Sequence, residues 1–345
     1  MKKIAVFAFI IILLIAAVWL GLEKFSPKMF EEGKPGPLYK GKITIGTEMW
    51  PGYFPFYVAQ TKGYFKEAGL DVEITLTKSL GQLSKDYVAG KMQGRANLTL
   101  DAVNEHLEGL DHRVVLAIDY SNGADAIVAS KDILTVKDFK GKRVGYEPGT
   151  LEEFFVVWAM KENDLSLADV TPVFGNPEET LKWLAEGKLD VAVSHEPFLS
   201  RLINETGNFH VVYSSADAPG LITDVLTFRT DFIKANPETV QAIAMAYFKA
   251  LKFWKEHPEE ADAIVAREFE DTPESIAQAL KQVTMLDEHD NHVTFTYAAG
   301  LKSLYGNLRQ IGKFVSEHRG IAPSELDTDP LIEDRFIQQI LEIEG

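Results

Sequence analysis

The chain has 345 residues, no cysteine, and 51 acidic against 35 basic side chains, a net charge of −16. Zero cysteine excludes a disulfide framework, a Cys-rich zinc or iron–sulfur site, a thiol nucleophile and a lipid-modified cysteine. The negative charge excludes general nucleic-acid binding, which needs clustered Lys and Arg, and adhesion to anionic lipid.

Met1-Lys2-Lys3 precedes an uncharged apolar run over residues 4–22. That length approaches the roughly 20 residues a helix needs to cross a bilayer core. The two lysines place its start in the cytoplasm and export the remainder of the chain. A cleaved signal peptide is the competing reading, but no small-x-small site comes after Ala17, which favours an uncleaved anchor. Residues 23–41 are rich in Pro and Gly and read as a tether.

From residue 42, short apolar runs alternate with helical patterns. Strands are predicted at 42–46, 71–76, 96–99 and 113–118, and helices at 56–67, 80–89 and 101–110. This β-α-β-α-β-α-β order implies a mostly parallel sheet covered by helices. The pattern restarts with strands at 126–129, 143–146, 170–174, 189–193 and 210–213, with helices at 151–162, 177–186 and 197–204. One more strand is predicted at 225–228. Only helices come after it, at 237–256, 259–268, 273–284, 297–317 and 331–343. Two layouts fit: consecutive independent domains, or two lobes joined by crossings near 120–126 and 222–228, with the helical tail on the first lobe.

Open α/β sheets bind ligands beyond the carboxyl ends of their strands. At those ends lie Glu48, Trp50, Gly52 and Tyr53, then Thr99 and Asp101, then Asn122 and Asp125. In the second half they are Glu147, Gly149 and Thr150, then His195 and Glu196, with Asp224 at the return crossing. Trp and Tyr pair a flat apolar face with one polar atom, which suits clamping a small ligand, although aromatics are also common core residues. Thr99, Asp101 and Thr150 are equally good N-cap types. His195 alone is more often a structural histidine. The acids favour a cationic or amine group. The Gly149-Thr150 helix start favours an anionic one, and a zwitterion reconciles the two. No catalytic residues are assigned. Ser194-His195-Glu196 are consecutive, so their side chains diverge and form no triad. His289-Asp290-Asn291-His292 lacks a third nearby ligand and reads as a polar surface turn, so no metal or cofactor is expected.

Six ordered motifs carry a resemblance over about residues 40–260: Trp50-Pro51-Gly52-Tyr53 with Gly63-Tyr64-Phe65, Leu98-Thr99-Leu100-Asp101, the stretch Asp119 to Val128, the stretch Gly141 to Thr150, Leu189 to Pro197, and Gly220 to Leu226. Together they resemble the periplasmic substrate-binding proteins of nitrate/sulfonate/taurine-type ABC importers, a superfamily that includes thiamine-pyrimidine-precursor binders. The resemblance implies an α/β, two-lobed periplasmic-binding-protein-like fold (type II) with two mostly parallel sheets and two hinge crossings. Lobe 1 would be residues 42–121 plus 226–345, and lobe 2 residues 122–225. It implies that Trp50, Tyr53, Thr99, Asn122, Asp125, Thr150 and Glu196 line a cleft that closes on a small polar organic ligand, sulfonate- or taurine-like, or an amine or zwitterion. The partners it implies are an ABC permease and ATPase, at the extracytoplasmic face. Two departures stand out: His195 occupies a position where many relatives carry an aromatic before Glu-Pro, and the lipobox cysteine of many relatives is absent. The rivals are a pyrimidine-precursor synthase of the same superfamily, whose cysteine-rich motif this chain lacks, and a membrane-anchored sensor module.

Overall fold

The structure, a computed structural model, describes residues 36–344 except 78–79, 197 and 323–325. The expected transmembrane helix over 4–22 lies outside the described residues. Among the described residues no helix is long and apolar enough to cross a membrane.

Two sheets organise the chain from Leu38 onward. The strands of the first are β1 (Lys42–Thr47), β2 (Asp71–Leu76), β3 (Gly94–Leu98), β4 (His112–Ser121), β10 (Thr223–Arg229) and β11 (Val283–Met285). Their order across the sheet is β11-β4-β10-β3-β1-β2. β3, β1 and β2 pair in parallel, whereas β10 runs antiparallel to both β3 and β4, and β11 antiparallel to β4. The second sheet holds β5 (Asp125–Ser130), β6 (Arg143–Tyr146), β7 (Thr171–Phe174), β8 (Val191–His195) and β9 (Phe209–Ser214), in the order β7-β6-β8-β5-β9. Here β5 alone runs against its neighbours.

The strands are short and apolar because both faces are covered. Ile43, Ile45, Val114 to Ile118, Val225 and Leu226 are fully buried under the helices Phe54–Lys62, Pro237–Glu256 and Pro258–Phe269. Each large apolar side chain buried in this way stabilises the fold by about 1.5–3 kcal/mol. A second core packs Ile127, Val144, Val191 and Val193 against the helix Leu151–Lys161. The helix Leu304–Arg319 joins that core through Leu308, Ile311 and Val315, and its Arg319 donates to Asn104 Oδ1 at 2.9 Å. This tail helix therefore packs against the helix Thr99–Leu107, which follows β3, within the second core.

Three sequence expectations need correction. The tail is not purely helical, because Val283–Met285 forms β11, a three-residue strand with no periodicity of its own that exists by pairing with β4. The helix expected over 297–317 begins only at Leu304. The stretch 289–292 is no surface turn: it lies in the helix Glu288–Thr294, and buried Asn291 accepts from Ala117 N–H at 2.8 Å while donating to the Ala117 carbonyl at 2.9 Å.

Candidate functional site

Two short connections, 122–124 between β4 and β5 and the stretch from β9 to β10, carry the chain from one sheet to the other. The strand ends of both sheets meet at a cavity of about 440 Å³. Nine of the expected residues line it: Glu48, Trp50, Asp101, Asp125, Glu147, Gly149, Thr150, His195 and Asp224. A surface groove of about 480 Å³ along the Pro237–Glu256 helix holds no strand end and presents mainly Tyr64, Met245, Phe248 and lysines.

Five expected residues stand outside that lining. Tyr53 is fully buried beneath it and donates its hydroxyl to Asp224 Oδ1. Gly52 is packing space: a Cβ there would sit 1.6 Å from Asp119 Oδ2. Thr99 does not cap its helix; its hydroxyl donates to the Thr223 carbonyl at 3.2 Å, tying two strand ends together. Asn122 is exposed at the crossing, with its backbone N–H on the Gln282 carbonyl. Glu196 turns to the helix Phe198–Thr206 and accepts from Ser200 N–H and hydroxyl at 3.2 and 2.8 Å.

The structure adds residues the strand-end rule missed. Asn176, Pro177 and Glu178 come directly after β7, an end to which the rule was not applied. Asn176 there also caps the helix Pro177–Ala185, accepting from Glu179 N–H at 2.9 Å. Arg95, on β3, is almost wholly buried and pairs with Asp101 at 2.9 Å and with Glu105. A charged residue inside a short apolar strand, with acids at i+6 and i+10 on one face of the next helix, was the available signal. Asp101 is thus a partner of Arg95 rather than a helix cap. Asp119, a lone acid in the apolar run of β4, lies under the cavity and accepts from Trp50 Nε1 at 3.2 and 3.3 Å.

Asp119 and Asp224 are cross-strand partners on β4 and β10 and are both buried. Like charges directly opposite repel. Burial pushes Asp119 up to about 8, against the Trp50 hydrogen bond. Burial, followed by repulsion from Asp119, raises Asp224 well above the carboxylate range. Burial and repulsion from Asp101 take Glu48 to about 7, and burial takes Asp125 to about 6. Burial opposes charge on His195, but Glu152, 3.7 Å from its Nδ1, together with Asp125 and Glu48, wins and raises it.

The helix start expected to receive an anion is already filled. Gly149 takes the left-handed φ of 77° that glycine tolerates, and its N–H donates to Glu153 Oε2 at 2.7 Å. The Thr150 hydroxyl lies 2.7 Å from the Glu147 carbonyl and 2.5 Å from Glu152 Oε2. The chain's own carboxylates thus occupy the positive end of the helix.

A family model described as "NMT1/THI5 like" matches residues 50–261. The chain is 26% identical over 246 residues to 4-amino-5-hydroxymethyl-2-methylpyrimidine phosphate synthase THI13 of Saccharomyces cerevisiae, covering 63% of this chain and 70% of that protein. Among solved structures it is similar to the periplasmic aliphatic sulphonate binding protein SsuA from Escherichia coli, with TM-score 0.69 and 16% identity over 85% of this chain and 92% of the other. It is also similar to the periplasmic nitrate-binding protein NrtA from Synechocystis PCC 6803, with TM-score 0.62 and 14% identity over 88% of each chain. The two-sheet α/β architecture is that of periplasmic binding proteins.

Proposed function

The chain belongs to the NMT1/THI5-like family, and from that premise we propose that it captures a small polar organic solute for an ABC import system. The observation that carries this reading is the cavity at which the strand ends of both sheets converge, with polar groups contributed by each. Lobe 1 is residues 42–121 plus 226–345 and lobe 2 residues 122–225. Ligand seated on one lobe draws the other over it, and closure is stabilised by the contacts it adds. Residues 4–22, behind Lys2 and Lys3, tether the receptor to the membrane with the lobes on the extracytoplasmic face, where a permease and its ATPase take over the solute.

The synthase names among the relatives keep an enzymatic reading in view. Against it stands the complete lack of cysteine. The test is a thermal-shift screen of the full chain in detergent against sulfonates, taurine, nitrate, amines and amino acids. A ligand at 100 times its Kd adds about 2.7 kcal/mol of stability. Conversion of a bound compound into product by the purified protein would overturn the capture reading.

A further inference from the structure

Among the described residues, one buried acceptor at the cavity has nothing to bind. Asp224 is 1% exposed and lines the cavity. Its Oδ1 is held by the Tyr53 hydroxyl, and its Oδ2 has no partner. An orphaned buried carboxylate oxygen is expensive, so a donor is the natural complement.

The positive groups nearby are committed. Arg95 pairs with Glu105 and Asp101 through its two terminal nitrogens, and its buried Nε has no partner. His195 sits between Glu152 and Asp125, its β5 register partner. The N–H of Gly149 is taken by Glu153. An anion entering here finds one unpartnered donor, the buried Arg95 Nε, on a guanidinium already paired with two acids, and a surplus of carboxylates. A cation finds a free acceptor in Asp224 Oδ2, beside the Glu48 and Asp125 carboxyls that burial raises. A metal ion fits poorly, because among the described residues no three acids or histidines converge on one point. Trp50 has its indole N–H engaged by Asp119, leaving its ring as the apolar wall, a surface that also attracts cations.

Resting on the solute-capture reading, we propose that the cleft takes an organic cation whose head bears N–H donors, a protonated amine or amidine, seated between Asp224, Glu48 and Asp125 with its body against Trp50. The N–H requirement comes from Asp224 Oδ2, which a quaternary ammonium cannot serve.

The test is calorimetric titration of the full chain in detergent with phenethylamine, benzamidine and agmatine. Choline, ethanesulfonate, taurine, nitrate and zinc chloride form the opposing series. The N–H cations should bind and the opposing series should not. Asp224→Asn and Glu48→Gln should each weaken that binding about 10- to 100-fold, the range for one charge-assisted hydrogen bond. Glu48 faces the cavity, so Glu48→Gln keeps the test valid if Asp224→Asn fails to fold. Binding of ethanesulfonate, taurine or nitrate without the cations overturns the ligand class and leaves solute capture standing. Choline binding as tightly as phenethylamine overturns the N–H requirement, and zinc binding in place of the amines overturns the organic cation. Unchanged cation affinity in both variants overturns the seat. Silence in both series overturns this proposal and the capture reading together.

Discussion

Asp125→Asn should make the empty protein's stability less sensitive to pH. Asp125 opens β5 at 4% exposure, faces His195 across the β5–β8 ladder, and accepts from the Ser121 hydroxyl at 2.5 Å. Burial holds its carboxyl up to about 6, from an ordinary value of 3.8. The folded state therefore keeps a proton that the unfolded chain has released. The stabilising contribution is complete below the unfolded value and is lost as pH rises through about 6. Linkage between those two values gives a loss of about 1.4 kcal/mol between pH 5 and pH 8. An asparagine has no such titration and retains an acceptor for Ser121. The other titrating groups around it, Glu48, Asp119, Glu152, His195 and Asp224, are common to both proteins and largely subtract out. The stability of the variant relative to wild type should thus rise by about 1.4 kcal/mol across that range. With unfolding entropy near 2.1 cal/mol/K per residue, this is about 2 °C in Tm. Urea denaturation and thermal melts at pH 5, 6, 7 and 8, without ligand, measure it. Parallel profiles for the two proteins would show that Asp125 is ionised throughout and refute the argument.

Three further substitutions probe the layer beneath the cavity. Arg95→Met leaves buried Glu105 without its cation and should destabilise by about 3–5 kcal/mol in urea denaturation; a loss below about 1 kcal/mol would mean that Arg95 is not the balancing charge. Gly52→Ala drives a Cβ into Asp119, which is fully buried and cannot withdraw, so a loss of about 1–3 kcal/mol or more is expected and an unchanged melting curve would contradict it. Tyr53→Phe strips Asp224 of its one donor and should cost about 1–3 kcal/mol, read by the same denaturation, with wild-type stability as the contrary result.

The central strands were legible because their side-chain alternation and Gly-punctuated ends are local properties. β11 was not, since Val283-Thr284-Met285 becomes a strand only by lying beside β4. The strand-end rule brought nine residues to one cavity because topology, rather than side-chain chemistry, decides where strands point. It says nothing of depth, which is why Tyr53 and Thr99, at the same ends, lie beneath the lining with their hydroxyls on Asp224 and the Thr223 carbonyl. It also assigned Gly149-Thr150 by type. Whether that helix start is free depended on Glu152 and Glu153 folding back over it, a rotamer outcome that no spacing rule contains.

An anion receptor must leave N–H groups unfilled, and a cation receptor must leave carboxylate oxygens unfilled. This cleft does the second at Asp224 Oδ2 and closes the first at Gly149, while its unfilled Arg95 Nε belongs to a guanidinium already paired with Asp101 and Glu105. The acids of the seat are held protonated in part, with Glu48 near 7 and Asp125 near 6. A cation that seats among them must first displace those protons. A bound amine keeps its own charge well above this range, as a lysine does near 10.4. The affinity of phenethylamine should therefore climb with pH, about tenfold per unit for each proton displaced, and flatten once the carboxyls are ionised. Titrations from pH 5 to pH 8 in buffers of different ionisation enthalpy report the affinity and the protons released. An affinity that stays level or falls over that range, with no buffer-dependent heat, would mean that the ligand's head meets carboxylates already charged, and the burial argument for the site would fail.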